Sequence, residues 1–156
     1  MIALGSDHVG CVLKRVIMEH LDDAGVSYKD FGYTGDESVS ADYPVYALAA
    51  AEAVLSGECE RGILFCGTGV GMSLAANKVK GIRCAVCSEP YSALMSREHN
   101  DANMLALGAR VVGSELAKMI VDVWLGGEFT GGGKHARRVD MIGSIEDDGT
   151  ILVSDT

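Results

Sequence analysis

Gly62-Ile63-Leu64-Phe65-Cys66-Gly67-Thr68-Gly69-Val70-Gly71 reads as a strand that runs into a glycine-punctuated turn and then a helix. The apolar run before Cys66 suits a strand buried on both faces. Glycine at positions 67, 69 and 71 lets the backbone take positive φ and brings its N–H groups close to a ligand. A helix N-terminus behind the turn favours negative charge. The same field favours a thiolate, so Cys66 at the mouth of the turn is a candidate base or nucleophile beside a nest of backbone donors. The turn lacks the lysine of a Walker loop and the full G-x-G-x-x-G spacing, so neither ATP nor NAD follows from it.

Outward from this unit the chain alternates strand and helix. Strands are expected at 1–6, 26–31, 61–65, 82–87 and 104–107, the last reaching toward 112. Helices are expected at 8–24, 44–55, 72–78, 91–98, 114–125 (with Ser114 as N-cap) and 134–142. Residues 33–40 are polar and glycine-containing, hence a loop, and 149–153 is an apolar scrap of open state. Repeated strand–helix units argue for an α/β fold: a single-domain, doubly wound, mainly five-stranded parallel sheet with helices on both faces, Rossmann-like in arrangement. No repeat or linker divides the chain, so 1–145 forms the domain and 146–156 a C-terminal tail. The piece after the glycine-rich 126–133 is too short to be a domain and must pack on the body or on a partner subunit. In such sheets ligands bind beyond the carboxyl ends of the strands, where the strand order switches. Strands one and three would be neighbours there, which places Asp7, His8 and Cys66 in one crevice.

Composition narrows the function. The 156 residues are 48% hydrophobic with 2 prolines, enough for an ordered core. The net charge of −9 argues against nucleic acid and anionic membranes as partners. No stretch has the length of a bilayer span, and the N-terminus has no signal-peptide pattern, so a cytoplasmic location is expected. The 5 cysteines suit a reducing compartment. Cys84 and Cys87 have C-x-x-C spacing but lie in an apolar run, where core filling is a better reading than redox or zinc chemistry.

The remaining polar candidates each have a plain structural alternative. Asp7 can cap the first helix, and His8 can simply be exposed at its start. His99 can be a helix-end histidine held by the dipole. Arg110 is either a surface ion-pair former or a phosphate ligand. The cluster Lys134-His135-Ala136-Arg137-Arg138 is either an anion site or a solvated helix start. No set of His, Cys and carboxylates has zinc spacing.

Taken together, Gly5-Ser6-Asp7-His8-Val9-Gly10, Asp42-Tyr43-Pro44, the 62–71 unit, Gly81-Ile82-Arg83, Arg97-Glu98-His99-Asn100-Asp101-Ala102-Asn103 and His135-Ala136-Arg137-Arg138-Val139 resemble the ribose-5-phosphate isomerase B family. The galactose-6-phosphate and allose-6-phosphate isomerases are related to it. The resemblance runs from Met1 to about Ile142. It implies aldose–ketose isomerisation of D-ribose 5-phosphate and D-ribulose 5-phosphate, a step of the pentose phosphate pathway, with no cofactor and no metal. It also implies a homodimer or dimer of dimers, with active sites between subunits and the C-terminal helix packing on the partner.

By that resemblance Cys66 is the base that moves a proton between C2 and C1 through a cis-enediol(ate). Thr68 and the amides of Gly67, Gly69 and Gly71 stabilise the oxyanion. His99 assists ring opening. Asp7, Tyr43 and Asn100 contact sugar hydroxyls, while His8, Arg110, Lys134 and Arg138 hold the phosphate. His99, Asn100 and Arg110 would come from the neighbouring subunit. The family often has Arg where this chain has Lys134, so Lys134 or Arg137 takes that role. Some members use a Glu a few residues after the glycine turn; here Ala75 and Ala76 stand there, which favours the thiol. The alternatives are a hexose 6-phosphate as substrate, decided by pocket length, and a non-catalytic phosphosugar sensor on the same fold.

Overall fold

The computed structural model describes residues 1–151. Strands β1 (Ile2–Ser6), β2 (Tyr28–Asp30), β3 (Arg61–Cys66), β4 (Cys84–Val86) and β5 (Met104–Gly108) alternate with helices α1 (Cys11–Asp23), α2 (Tyr43–Leu55), α3 (Val70–Ala76), α4 (Pro90–Asn100) and α5 (Ser114–Gly126). Helix α6 (Gly133–Asp148) follows. The five strands form one sheet in the order β2-β1-β3-β5-β4, and every neighbouring pair is parallel.

Side-chain alternation divides β3 between two cores. Ile63 and Phe65 join Leu4, Leu105 and Leu107 against α1 and α5, where Ile17, Ile120 and Trp124 are fully buried. Leu64 and Cys66 face the other way, with Ala3 and Ala106, against the alanine face of α2 and against Met72 and Ala76 of α3. Alanines at 47, 50, 51 and 53 remove the bulk that would hold α2 away from the sheet. Cys84 packs in this second core and Cys87 in the first, so the two thiols take opposite faces of the sheet. Burial pushes the Cys84 thiol strongly upward and Cys87 up to about 11, which keeps both protonated and unreactive at neutral pH.

Several elements differ from expectation. Helix α1 begins at Cys11 rather than at residue 8, because Asp7 Oδ1 accepts from Gly10 N–H at 2.8 Å and closes a separate turn first. Asp7 therefore caps that turn and not the helix. The N-cap of α5 is Gly113, and Ser114 is already helical. Helix α3 starts earlier, at Val70, because Gly69 takes the left-handed conformation that turns the chain into it. β5 stops at Gly108, where Val111 and Val112 N–H fold back onto Gly108 O. Helix α6 continues past 145 to Asp148 and ends on left-handed Gly149, so the expected domain end falls inside a helix. The predicted 149–153 segment includes residues 152 and 153, outside the described residues.

Helix α6 rests on its own chain. Its Glu146 Oε2 accepts from Gly81 N–H at 2.9 Å and its Asp147 pairs with Lys80 at 2.6 Å. It has no buried residue in this single chain, and Ile142 and Ile145 stay exposed.

Candidate active site

The neighbouring of β1, β3 and β5 brings three loops together beyond their carboxyl ends. Cys66 ends β3, opposite Gly108 of β5, and is only 5% exposed. Its Sγ accepts a hydrogen bond from Gly69 N–H at 3.1 Å. Gly69 achieves this with φ +83, a conformation that L side chains rarely adopt. An N–H aimed at the sulfur has the polarity that suits negative charge there. Thr68 is exposed, and its Oγ1 accepts from Val70 N–H at 3.3 Å.

The loop after β1 is bound tightly to this turn. A Cβ on Gly10 would stand 2.1 Å from Phe65 O, so only glycine permits that approach. Asp7 N–H donates to the same Phe65 O at 3.3 Å. His8 Nδ1 accepts from Ala41 N–H at 3.1 Å, so the neutral ring carries its proton on Nε2 as a free donor. The Tyr43 ring, at the start of α2, stands 3.0 to 3.2 Å from a Cβ position on Gly71 and covers the far end of the turn.

The loop after β5 closes the third side. Ala109 N–H donates to Cys66 O at 2.8 Å and Arg110 N–H to Gly67 O at 3.0 Å. Val9 Cγ1, Arg110 Cδ and Arg110 Nη1 lie 3.7, 3.8 and 3.9 Å from a Cβ position on Gly67. Arg110 thus reaches the cleft of its own chain. This placement follows from β5 lying directly beside β3.

The other expected residues form a second cluster. His99 and Asn100 end α4, at the opposite end of the sheet, where the chain turns back into β5. One length of β5 separates that end from Gly108, about 13 Å of strand. There the His99 and His135 rings stack with centroids 4.1 Å apart and planes 6° from parallel. The stack opens on a pocket with Glu98, Gly126, Glu128 and Thr130. Desolvation, then His99, Lys134 and Arg138, hold the His135 imidazolium below its ordinary range. Lys134 and Arg138 are exposed on the same turns of α6. A roomier cleft of about 780 Å³ lies between α6 and the 77–85 segment; it has Asn100 on its rim and none of the residues around Cys66.

Sequence reading missed three supports. Lys14 is buried, with Nζ bonded to both Asp30 oxygens and to Tyr33 O. Its spacing from Ile17 and Leu21 puts it on the buried stripe of α1, a visible signal. Ala41 acts through its backbone, which no side-chain pattern reveals. His135 was visible only as part of a basic cluster.

Comparison with known proteins agrees with this architecture. The family described as Ribose/Galactose Isomerase matches residues 2–142. Ribose-5-phosphate isomerase B of Escherichia coli K12 is 58% identical over 145 residues, 93% of this chain and 95% of that protein. The structure of Clostridium thermocellum ribose-5-phosphate isomerase B matches with TM-score 0.90 and 59% identity, covering 96% of this chain and 99% of that one. That of Mycoplasma genitalium ribose-5-phosphate isomerase B, with bound ribulose 5-phosphate, matches with TM-score 0.87 and 40% identity over 94% and 96%. The chain belongs to the Ribose/Galactose Isomerase family.

Proposed function

We propose that this protein interconverts D-ribose 5-phosphate and D-ribulose 5-phosphate by a metal-independent proton transfer based on Cys66. The observation that carries this reading is the convergence of Cys66 Sγ, the glycine turn and the side chains of Asp7, His8, Tyr43 and Arg110 at one strand-end cleft, in a member of this family. The Cys66 thiolate takes the C2 proton of the open-chain aldose. The electron pair moves into a C1–C2 double bond and the carbonyl oxygen becomes an enediolate oxyanion. Amides of the 67–71 turn and Thr68 stabilise that charge. The thiol then returns its proton to C1, restoring the thiolate, as the O2 hydroxyl proton passes to O1, which leaves a ketone at C2 and a hydroxyl at C1. Asp7 and Tyr43 orient sugar hydroxyls, and His8 Nε2–H and Arg110 bind the phosphate.

The site is completed by a second copy of the chain, in a homodimer or dimer of dimers. His99 of that copy opens the furanose ring, Asn100 contacts the sugar, and Lys134 and Arg138 add charge on the phosphate. Two observations support a shared site. The His99 cluster lies a strand's length from Cys66 within one chain, and α2 and α3 beside the cleft expose Val45, Leu48, Val70 and Leu74. Five free cysteines suit a reducing cytoplasm.

The test is ketose formation from ribose 5-phosphate in chelator, with allose 6-phosphate and galactose 6-phosphate in parallel. Rapid turnover of the pentose supports the reading. Turnover of a hexose phosphate alone keeps the mechanism and changes the substrate. Binding without turnover identifies a sensor.

A further inference from the structure

We infer that His135 is a positioning residue: its ring, stacked face to face on His99, fixes the ring-opening imidazole and ties the phosphate-binding turn of α6 to α4. The inference rests on the assignment of ring opening to His99 above.

The geometry leaves this task to the stack. Among the described residues, imidazole hydrogen bonds occur at His8 and His20; His99 and His135 hold one another by their faces instead. Parallel rings 4.1 Å apart restrain both side-chain torsions of His99 and leave its nitrogen edge free for a substrate. Helix α6 needs such a tie at its first turn. It follows Gly131-Gly132 and opens on Gly133, with φ +68 at Gly131 and +63 at Gly133, and its N-cap Gly132 offers no side chain. The ion pair and hydrogen bond that hold α6 to residues 80 and 81 lie at its far end. His135 is therefore the anchor nearest Lys134 and Arg138. It sets their distance from His99, so ring opening and phosphate grip are presented as one rigid patch.

The charges around the stack favour this use. Lys134 and Arg138 flank it from α6, while Glu98 of α4 and Glu128 of the loop after α5 line the pocket. Desolvation and those adjacent cations disfavour a charge on the stacked His135 ring, so the contact persists near neutral pH.

The experiment uses the full chain with His135→Ala and His135→Phe, and His99→Ala as reference. Three readouts are taken: turnover of ribose 5-phosphate, initial loss of ribulose 5-phosphate, and inhibition by inorganic phosphate. The ketose cannot close a furanose because its O5 carries the phosphate, so its conversion to open-chain aldose needs no ring chemistry. His135→Ala is expected to lower kcat on ribose 5-phosphate about 10- to 100-fold, as misplacement of a catalytic group does. Ketose loss at saturating substrate should stay at the parent level, phosphate inhibition should weaken as Lys134 and Arg138 lose their tie, and His135→Phe, which keeps a flat ring, should recover most of both. Unchanged kcat in His135→Ala, with His99→Ala impaired, overturns the positioning role alone. Equal damage in the Ala and Phe variants shows that a ring nitrogen is needed and overturns the stacking argument. Loss of ketose turnover in step with kcat on ribose 5-phosphate places His135 in the proton transfer rather than in ring opening and also overturns it. An unimpaired His99→Ala removes the ring-opening assignment itself.

Discussion

Lys14 Nζ lies 2.9 and 2.8 Å from the two carboxylate oxygens of Asp30 and clamps α1 to the end of β2. Lys14 is 3% exposed. The same Nζ donates to Tyr33 O at 3.2 Å, and Tyr33 N–H donates to Ser6 O at 2.8 Å. The segment leading to Ala41, which orients His8, is thus fastened to the strand that precedes His8. Lys14→Met leaves the partly exposed Asp30 carboxylate with Gly32 N–H but without its cation and should cost about 1 to 3 kcal/mol of stability. Adding Asp30→Asn should recover part of that, and urea unfolding of both variants checks it. The single variant should also raise KM for the phosphosugar, through a less ordered His8.

Cys66→Ser keeps an oxygen acceptor for Gly69 N–H but replaces the base with a poor one. Turnover should fall about 100- to 10,000-fold, the range for loss of a general base. The melting temperature should change little. Calorimetric binding of ribulose 5-phosphate to the variant should persist. Full activity in Cys66→Ser would sink the thiol mechanism.

Arg110 makes a sharper statement about assembly, because it shares a chain with Cys66 while His99 does not share its cleft. Arg110→Ala should raise KM about 10- to 100-fold, the equivalent of one charged hydrogen bond. Mixed, unfolded and refolded together, Cys66→Ser and His99→Ala chains should regain activity, since a hybrid holds one intact site. Cys66→Ser mixed with Arg110→Ala should not. Recovery in the second mixture would return Arg110 to the partner.

Gly10→Ala drives a methyl group to 2.1 Å from the Phe65 carbonyl oxygen, where backbone rather than a flexible side-chain tip must move. The variant should lose about 3 kcal/mol, the upper part of the usual overpacking cost. Its activity should fall further than its stability, because the loop that would shift carries Asp7 and His8. Denaturant melts and kcat/KM on one preparation measure both.

The docking of α6 should depend on pH. The His135 imidazolium is held below its ordinary range by desolvation and by His99, Lys134 and Arg138. The unfolded chain therefore binds more protons here than the folded one. The contribution is complete above the ordinary histidine pKa of about 6.5 and is lost as pH falls through the lower folded value. Glu98 and Glu128 line the same pocket and moderate the loss. Amide exchange of residues 134–142, corrected for its intrinsic rate, should speed up from pH 7 to pH 5 more than that of α5. A constant ratio between the two helices would contradict this.

Much of the fold is legible because its signals are local. The apolar runs before Ser6, Cys66 and Gly108 and the 3.6-residue stripe of α1 each predict their own element. Harder to read are boundaries set by one hydrogen bond, such as the Asp7–Gly10 turn that delays α1. The cleft residues Asp7, His8 and Cys66 follow from strand order alone. The placement of Arg110 does not, because it depends on β5 entering between β3 and β4, an insertion that no local pattern encodes. Ala41 and Lys14 contribute through a backbone amide and a buried amine, groups whose partners lie far away in sequence.

That insertion has a consequence for synthesis. β3 finds its second neighbour, and β4 its sheet partner, only when residues 104–108 arrive. Until then a nascent chain carries β3 as an open edge with Leu64, Phe65 and Cys66 uncovered on one side, a template for pairing with another chain. The contacts that close it are long-range and therefore slow to form. A ribosomal pause or truncation before Met104 leaves β3 as an unpaired, aggregation-prone edge, whereas one after Gly108 leaves all five strands paired.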